Sequence, residues 1–403
     1  MARALVSLAA LLGLLAACSA SPAAIISANN EAQATVRALG IQSQIASRLY
    51  SLVHLAQYQA IEEGAEEAVQ AAQAAYAGHA VLKQLFPWRF ASYDKALKPL
   101  IADLSEEQRT SAEKVGRDAA IEVLTASLRD NFDRYVPFTP AANDSAPGLY
   151  QFTPNQTYSV YPQIAQTKPV VLSSVTEFKP APPNAIGSPE YVADLAEVFV
   201  VGRKDSSNRT QEQTDTANFW ADGNTTSAVA GHFNQIAQVL LSPNATVEEA
   251  ALLFAVLNAA QWDASISAYT AKYANPSWRP ITAITQGDGS QETAAYVDKD
   301  WRPLLNTPNH PEHPSGHSAT AGASGAVLAE FFGADTPFEI GTEFPGLVPR
   351  TYASVQEAVE EVNDSRVFGG VHFRHAVEEG AKLGAAVAQA VISEFDSKVK
   401  KSN

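Results

Sequence analysis

The sequence predicts an all-α protein that is built from stacked helical bundles and connected by long proline-rich loops. Apolar residues recur at three-to-four spacing through residues 31–133 and again from about Glu190 onward. Prolines are concentrated between these regions, and patterns typical of strands are few and short. The 403 residues are 46% hydrophobic and 18% charged, which indicates a globular protein of one large domain or two ordinary ones.

The N-terminal region is predicted to be helical nearly throughout residues 31–133, where alanine is abundant and the first proline is Pro87. Residues 135–190 contain ten prolines, which exclude long helices. We interpret this proline-rich excursion as an ordered surface segment, because it contains aromatic residues that are able to anchor it. These aromatic residues are Tyr150, Phe152, Tyr158, Tyr161 and Phe178.

The C-terminal region contains the strongest helical pattern, residues 246–273, in which Thr246 and Glu249 form a capping-box pattern. Loops are predicted for residues 275–314, and the segments SATAGASGAVLAEFFG and AVEEGAKLGAAVAQAVISEF predict two further helices. The predicted organisation is therefore an N-terminal helical half, 31–240, which includes the proline-rich excursion, and a C-terminal helical half, 241–397.

The N-terminus predicts export. Residues 1–20 combine an early arginine, a short apolar run and small residues at a cleavage site, which is the pattern of a signal peptide. Residues 15–18, Leu-Ala-Ala-Cys, also have the form of a bacterial lipidation box, so a lipid anchor through Cys18 is an alternative. The expected location is extracellular, in the cell wall or in the periplasm, and no later stretch is long and apolar enough for a transmembrane helix. Six N-x-S/T sequons are typical of a glycosylated secreted protein and lie at Asn143, Asn155, Asn208, Asn224, Asn244 and Asn363.

The charge and sulfur content restrict the function further. A net charge of −15 argues against nucleic acid or an anionic membrane as the partner. Met1 and Cys18 are the only sulfur-containing residues, so disulfides are excluded. Because thioethers and thiols are the side chains that strong oxidants attack most readily, this composition suits an oxidising environment. Sulfur economy explains it equally well when it is considered alone.

Three separate segments supply the groups that bind an oxyanion. Fixed cations and the backbone N–H donors of a helix N-terminus neutralise a tetrahedral anion, and imidazoles bond to its central atom or carry protons. The seven groups of this kind are Lys272 and Arg279 in KYANPSWRP, Ser315, Gly316 and His317 in HPSGH, and Arg366 and His372 in SRVFGGVH.

Each of these groups also has a purely structural interpretation. Lys272 complements the C-terminal end of its helix, Ser315 is an ordinary N-cap, and a lone arginine is most often a surface charge. The combination is more specific than its parts, because the patterns K-x6-R-P, P-S-G-H and S-R-x5-H occur together and in this order.

The three patterns resemble those of the superfamily of vanadium-dependent haloperoxidases and type 2 phosphatidic acid phosphatases. The resemblance extends to QWDASISAYTAKY before the first pattern and to FGGVHFRHAVEEGAKLG around the last, and it covers roughly residues 40–395. These segments look like the haloperoxidase-type branch. That branch implies an all-α fold with two four-helix-bundle-like halves and no membrane spans.

The resemblance implies vanadate as the cofactor, with phosphate able to occupy the same site. It implies that His372 bonds to the metal and that His317 acts as the acid–base toward hydrogen peroxide. The implied reaction is the oxidation of halide by hydrogen peroxide to hypohalous acid, which halogenates a small organic acceptor. Lys272 would both bind a cofactor oxygen and polarise the oxidant. The groups implied to bind the cofactor oxygens are Lys272, Arg279, Arg366, Ser315 and the N–H of Gly316.

The chain departs from the family pattern beside the metal-binding histidine. Some haloperoxidases have an aspartate four residues after it, where this chain has Ala376 preceded by His375. Metal-bound imidazoles need an acceptor on their other nitrogen. The group that orients His372 is therefore open at this stage, with a backbone carbonyl as one candidate.

Two further positions bear on the halide. His310 lies seven residues before His317, where chloroperoxidases have phenylalanine and algal bromoperoxidases have histidine. Tyr269 occupies the place of a halide-pocket tryptophan of chloroperoxidases. Both residues favour bromide or iodide over chloride, whereas no role is assigned to the neighbouring His313.

Two alternative functions remain. A secreted acid phosphatase of the same superfamily would use the same residues, with His372 as the nucleophile of a phospho-histidine intermediate and His317 as the acid. A protein that only binds an oxyanion would have little reason to retain His317. The sulfur content favours the haloperoxidase over the phosphatase, because only the former releases an oxidant that damages methionine and cysteine.

Overall fold

The computed structural model describes residues 22–142 and 146–402, with the side chains described up to residue 397. This part of the chain contains thirteen α-helices and one two-stranded antiparallel sheet. The all-α prediction is confirmed. The predicted signal peptide 1–20 with Cys18, and the sequon at Asn143, lie outside the described residues. The helices are α1 (Ala23–Leu39), α2 (Ser43–Gln59), α3 (Glu67–Leu85), α4 (Phe90–Leu100), α5 (Glu106–Ser127), α6 (Pro189–Val201), α7 (Gln211–Phe219), α8 (Ala228–Leu240), α9 (Val247–Ala274), α10 (Pro280–Gln286), α11 (Gly316–Phe332), α12 (Val355–Phe368) and α13 (Arg374–Ser402).

The predicted helical region 31–133 is divided into the five helices α1–α5. Gly40, in the left-handed conformation at φ 60°, ends α1 because its amide caps the carbonyls of the last turn. A turn around Gly64 separates α2 from α3, and a 3₁₀ turn at Pro87–Arg89 separates α3 from α4. The helical pattern was therefore predicted correctly, but these local breaks and the end of α5 at Ser127 were not.

Helix α9 is the central helix of the molecule. Its predicted capping box is confirmed, because the Thr246 hydroxyl accepts from the amide of Glu249 while the Glu249 carboxylate accepts from the amide of Thr246. Most residues of α9 are buried, and it packs against α2, α11 and α13. The largest hydrophobic core includes residues from before and after position 240, whereas the division into two halves remains a prediction.

The region after α9 contains elements that were not predicted. Residues 275–314 include the short helix α10 and a 3₁₀ turn at Ala294–Tyr296, although loops were expected throughout. Strands β1 (Phe338–Ile340) and β2 (Arg350–Tyr352) pair in antiparallel register, with Phe338 opposite Tyr352. Helix α12, which follows this hairpin, carries Arg366 near its C-terminal end.

The proline-rich excursion is anchored by polar as well as aromatic groups. Tyr150 is buried, whereas Tyr158 is 63% exposed and does not act as the anchor that was expected. The buried carboxylate of Asp263 on α9 accepts three backbone N–H bonds from residues 170–172. Among the described residues, no helix is both long and apolar enough to cross a membrane.

Candidate oxyanion site

The fold brings the three motif segments together at one end of α9. Lys272 lies in the last turn of α9, Arg279 immediately precedes α10, and Ser315 caps the N-terminus of α11. Arg366 lies in the last turn of α12, and His372 lies in the short connection before α13. All five side chains are buried, with at most 3% of each residue exposed. Three cations buried this deeply require compensating negative charge or fixed acceptors.

Lys272 and Arg279 are fixed by carbonyl groups of the loop before α11. The Lys272 ammonium donates to the carbonyls of Pro311 and Glu312, each at 2.9 Å. An ammonium has three N–H donors, so one remains for a ligand. Arg279 Nε donates to the His310 carbonyl at 3.0 Å, and Arg279 Nη1 donates to the Val371 carbonyl at 2.8 Å. Both cations are therefore preorganised by backbone groups.

The residue that orients His372 is Glu312, which the sequence patterns did not single out. His372 Nδ1 lies 2.8 Å from Glu312 Oε1, and this oxygen also accepts from the amide of Phe373 at 3.1 Å. A carboxylate on Nδ1 places the proton there and leaves a lone pair on Nε2. His372 Nε2 lies 3.2 Å from Arg279 Nη1, on the cationic side of the ring. The imidazole is therefore held in the tautomer that a metal ligand requires.

The other two residues considered near His372 have different contacts. The carbonyl of Ala376 accepts from the amide of Ser315 at 2.9 Å, which joins α13 to the start of α11. His375 Nε2 bonds to the carbonyl of Pro182, and His313 Nε2 bonds to the carbonyl of Ala181. The rings of His313 and His375 stack at 5.5 Å. His313, to which no role was assigned, thus attaches the proline-rich excursion to the loop that carries the motif.

The start of α11 supplies the remaining predicted groups. The Ser315 hydroxyl accepts from the amide and the hydroxyl of Ser318, so Ser315 is also an N-cap. A Cβ added at Gly316 would lie 3.9 Å from Tyr269 and 4.0 Å from Lys272, which places this backbone beside the ammonium. A cavity of about 10 Å³, roughly the size of one water molecule, is bordered by Gly316, His317 and Tyr269.

The charges of the site act strongly on one another. Burial, and then the charges of Arg279 and Lys272, lower the pKa of His372 well below its usual value. Burial and the charge of Arg279 likewise lower the pKa of Lys272, and together they lower that of Arg366 to about 10. Burial raises the pKa of Glu312 to about 7, against the opposite effect of Arg279 and Lys272. Since all these shifts disfavour charge, an anion is the missing partner of the cations.

Several buried polar atoms at this point have no hydrogen-bond partner among the described residues. They are Arg366 Nε and Nη1, His317 Nε2 and the Tyr269 hydroxyl. Buried donors are nearly always satisfied in native proteins, so a group of this kind marks a place that a ligand fills. The two free guanidinium donors of Arg366 and the third ammonium hydrogen of Lys272 suit the oxygens of a tetrahedral oxyanion. The lone pair on His372 Nε2 suits a bond to the central atom of that anion. The residues present therefore fit vanadate, and they fit phosphate equally well.

The two residues expected to affect the halide lie beside this cluster. The rings of Tyr269 and His310 are 5.3 Å apart, and both residues are buried. His310 Nδ1 lies 3.1 Å from Arg279 Nη2. Burial, and then the charges of Lys272 and Arg279, lower the pKa of His310 well below its usual value. His310 is thus a neutral imidazole that contacts an anion-binding cation.

A substitution at Glu312 tests its role in orienting His372. We expect Glu312→Ala to reduce vanadate affinity by ~10–100-fold, because the imidazole loses its acceptor and its fixed tautomer. Glu312→Gln keeps an acceptor oxygen and is expected to retain affinity within about tenfold of the parent. Isothermal titration calorimetry with orthovanadate measures both. The control is Glu378→Ala, which removes an exposed carboxylate from α13. Unchanged affinity in a folded Glu312→Ala protein would contradict the assignment.

The chain is similar to known proteins both in sequence and in fold. The family model described as the second helical-bundle domain of VCPO matches residues 252–401. A comparison with functionally curated proteins gave no match. A bacterial structure described as the first bacterial vanadium-dependent iodoperoxidase is similar at 26% identity and a TM-score of 0.80, covering 92% of this chain and 96% of that one.

Two further bacterial structures share the fold. The holo-type vanadium-dependent chloroperoxidase is 17% identical with a TM-score of 0.70, covering 90% of this chain and 94% of that one. The apo-type chloroperoxidase is 17% identical with a TM-score of 0.67, and the match covers 90% of this chain and 95% of that one. The family model includes all seven motif residues, and the structural likeness extends over nine-tenths of the chain. Residues 252–401 therefore match the second helical-bundle domain of VCPO, and the chain as a whole has the fold of the bacterial vanadium-dependent iodoperoxidase and chloroperoxidases.

Proposed function

We propose that this protein is a vanadium-dependent haloperoxidase that oxidises iodide or bromide with hydrogen peroxide to hypohalous acid. The observation that carries the proposal is the group of unpartnered buried atoms, Arg366 Nε and Nη1 with His317 Nε2, in the site that contains His372. These atoms belong to two of the three sequence patterns and are donors and acceptors suited to an anion. Vanadate, when bound, supplies a Lewis-acidic metal centre that activates peroxide without changing its own oxidation state.

The cations hold the anion and neutralise its oxygens. Arg366 offers two donors that no described group uses, and Lys272 offers its third hydrogen. Arg279 presents Nη1 beside His372 Nε2, the atom that we expect to bond to the metal. Because Lys272 and Arg279 are already fixed by backbone carbonyls, little reorganisation of these two cations is needed when negative charge changes position during the reaction.

His317 is the acid–base residue of the proposal. Its Nε2 is buried and unpartnered, and its imidazole is hydrogen-bonded to the backbone of Ala221. Burial, and then the charge of Arg366, lower the pKa of His317 well below its usual value, so the ring is neutral and able to accept a proton from hydrogen peroxide at Nε2.

The sulfur content favours the haloperoxidase over the acid phosphatase. Both reactions use the same cradle, because vanadate and phosphate are nearly isosteric. Residues 19–403 contain no methionine and no cysteine. The same residues include 13 tyrosines and five tryptophans, so only the sulfur-containing side chains are missing. An enzyme that releases hypohalous acid would oxidise thioethers and thiols first, so their absence protects it from its own product. A phosphatase gains nothing from this composition.

Reconstitution with orthovanadate tests the proposal. Metal-free protein should gain peroxide-dependent iodide or bromide oxidation when vanadate is added, as measured by halogenation of a phenol indicator. Excess phosphate should suppress this activity by competing for the cradle. Hydrolysis of an aryl phosphate by the same preparation, without any halogenation in the presence of vanadate, would assign the phosphatase function instead.

The proposed halide preference has its own test at His310. We expect His310→Phe to change the ratio of kcat/KM for bromide to that for iodide by about tenfold, because the ring loses its hydrogen bond to the Arg279 guanidinium. Steady-state kinetics with both halides measures the ratio. His313→Phe is the matched control, since His313 contacts the Ala181 carbonyl instead. An unchanged ratio in His310→Phe would refute a role of this residue in halide selection.

We also propose that the protein is exported. The N-terminal pattern of residues 1–20 supports secretion or, through Cys18, a lipid anchor. Export suits a product that is toxic inside a cell, and a chain without cysteine after position 18 needs no disulfide chemistry outside it. Mass spectrometry of the mature N-terminus distinguishes a cleaved, unmodified chain from a lipidated one and from an unprocessed one.

A further inference from the structure

A second cavity is lined by Glu312, the residue whose carboxylate contacts His372. Its volume is about 440 Å³, which is in the range of small-molecule sites. Three aromatic residues line it, Tyr191, Trp278 and Phe373, and each is at most 7% exposed. Rim residues Leu149 and Ile186 are 45% and 39% exposed, so the cavity reaches the surface. The proposed haloperoxidase chemistry does not use this space.

Two buried carboxyl groups line the same cavity. Asp194 on α6 is 8% exposed, and Glu312 is 2% exposed. Asp194 Oδ2 accepts from the Asn184 side chain at 3.0 Å and from the amide of His375 at 3.4 Å. No described group donates to Asp194 Oδ1 or to Glu312 Oε2. Each carboxyl group therefore has one oxygen available for a ligand in the cavity.

The acidic groups of the lining are Asp194 and Glu312, and His375 is a further titratable residue of the lining. Burial lowers the pKa of His313, which also lines the cavity, to about 4, so this ring is neutral at pH 7. The cationic Lys272 and Arg279 do not line this cavity. The lining thus combines two carboxyl groups with aromatic walls, which is a combination that favours a positively charged ligand.

We propose that this cavity binds a small organic amine, with its ammonium group at Asp194 and its apolar body between Tyr191, Trp278 and Phe373. Aromatic faces attract cations, and a carboxylate oxygen forms a charge-assisted bond with an ammonium hydrogen. A neutral alcohol would satisfy the hydrogen bond but not the charge, and a carboxylate would be repelled by Asp194 and Glu312. This site goes beyond the proposed halide oxidation and does not depend on it.

Calorimetry with three matched probes tests the proposal. Benzylamine, benzyl alcohol and benzoate share a ring and differ in charge, and each is titrated into the full protein at pH 7.5, with and without orthovanadate. We expect benzylamine to bind with one-to-one stoichiometry and at least about tenfold more tightly than benzyl alcohol, because its bond to Asp194 is charge-assisted. Benzoate should not bind to the vanadate-loaded protein. Benzyl alcohol binding as tightly as the amine would overturn the cationic ligand class, and no binding of either would overturn the site.

Two substitutions locate the bound amine. Asp194→Asn should reduce benzylamine affinity to that of the alcohol, while Glu190→Gln, which removes an exposed charge from the same helix, should leave it unchanged. Ile186→Trp, at the exposed rim, should weaken the binding of both probes by filling the mouth. Full benzylamine affinity in either Asp194→Asn or Ile186→Trp would place the amine elsewhere and reject the proposal. Because binding is measured without peroxide or halide, a failure of the haloperoxidase assay would not alter these outcomes.

Discussion

Replacement of His372 by alanine should abolish vanadate-dependent halide oxidation and tight vanadate binding together. His372 Nε2 is the imidazole nitrogen that faces Arg279, and its other nitrogen is held by Glu312. Without this ring, the cations still attract an anion but no protein atom bonds to its centre. We expect vanadate affinity to fall by at least about 100-fold, the upper effect of losing a supporting group alone. Calorimetry with orthovanadate measures the affinity, and halide oxidation is followed at saturating peroxide.

The matched control for this substitution is His79→Ala. His79 lies on α3 and pairs with Asp94 at the surface, far in the fold from the motif segments. Circular dichroism establishes that the His372→Ala protein is folded, because the substitution leaves the Glu312 carboxylate without its imidazole partner. A folded His372→Ala protein that retains parental vanadate affinity would show that the metal is bound elsewhere.

Replacement of His317 by alanine should separate binding from turnover. His317 Nε2 has no partner among the described residues, and the hydrogen bond of the ring to the backbone of Ala221 involves none of the other cradle residues. We expect vanadate affinity to change by less than about tenfold while kcat falls by ~10²–10⁴-fold, the usual contribution of a general acid–base residue. The contrast between the two histidines is the diagnostic result, since a merely structural role of His317 would lower both quantities.

The pH dependence of halide oxidation is a second test of the role of His317. Burial and the positive charge of Arg366 lower the pKa of His317 well below its usual value, so the neutral form, which accepts the proton, should prevail at neutral and mildly acidic pH. Parental activity should therefore fall only at acidic pH as the ring becomes charged, and His317→Ala should lose that acidic limb. An identical acidic limb in the His317→Ala protein would assign it to another group.

The all-α fold and the seven motif residues could be predicted from the sequence because their signals are local. Helical periodicity and the capping box at Thr246 depend on neighbours within a few residues, and α9 formed as predicted. The motif residues are recognised by their spacing within three short segments, and this spacing does not depend on the length of the loops between the segments. The breaks between α1 and α5 were missed because short turns carry weak signals, and the hairpin β1–β2 was missed because its two strands have only three residues each.

The contact of Glu312 with His372 and the cavity lined by Asp194 depend instead on contacts between residues far apart in the chain. Glu312 is 60 positions from His372, and nothing in EHPSGH indicates that its carboxylate rather than a carbonyl accepts from Nδ1. The cavity joins Asp194 of α6 to Trp278 and Phe373, which no sequence pattern connects. The sequence by itself determined the helical fold and the inventory of groups proposed to bind the oxyanion, since both follow from residue type and local spacing. Only the tertiary structure decided which carboxylate contacts the His372 imidazole and where the cavity lined by Asp194 forms, because burial and hydrogen-bond partners are set by packing between distant segments.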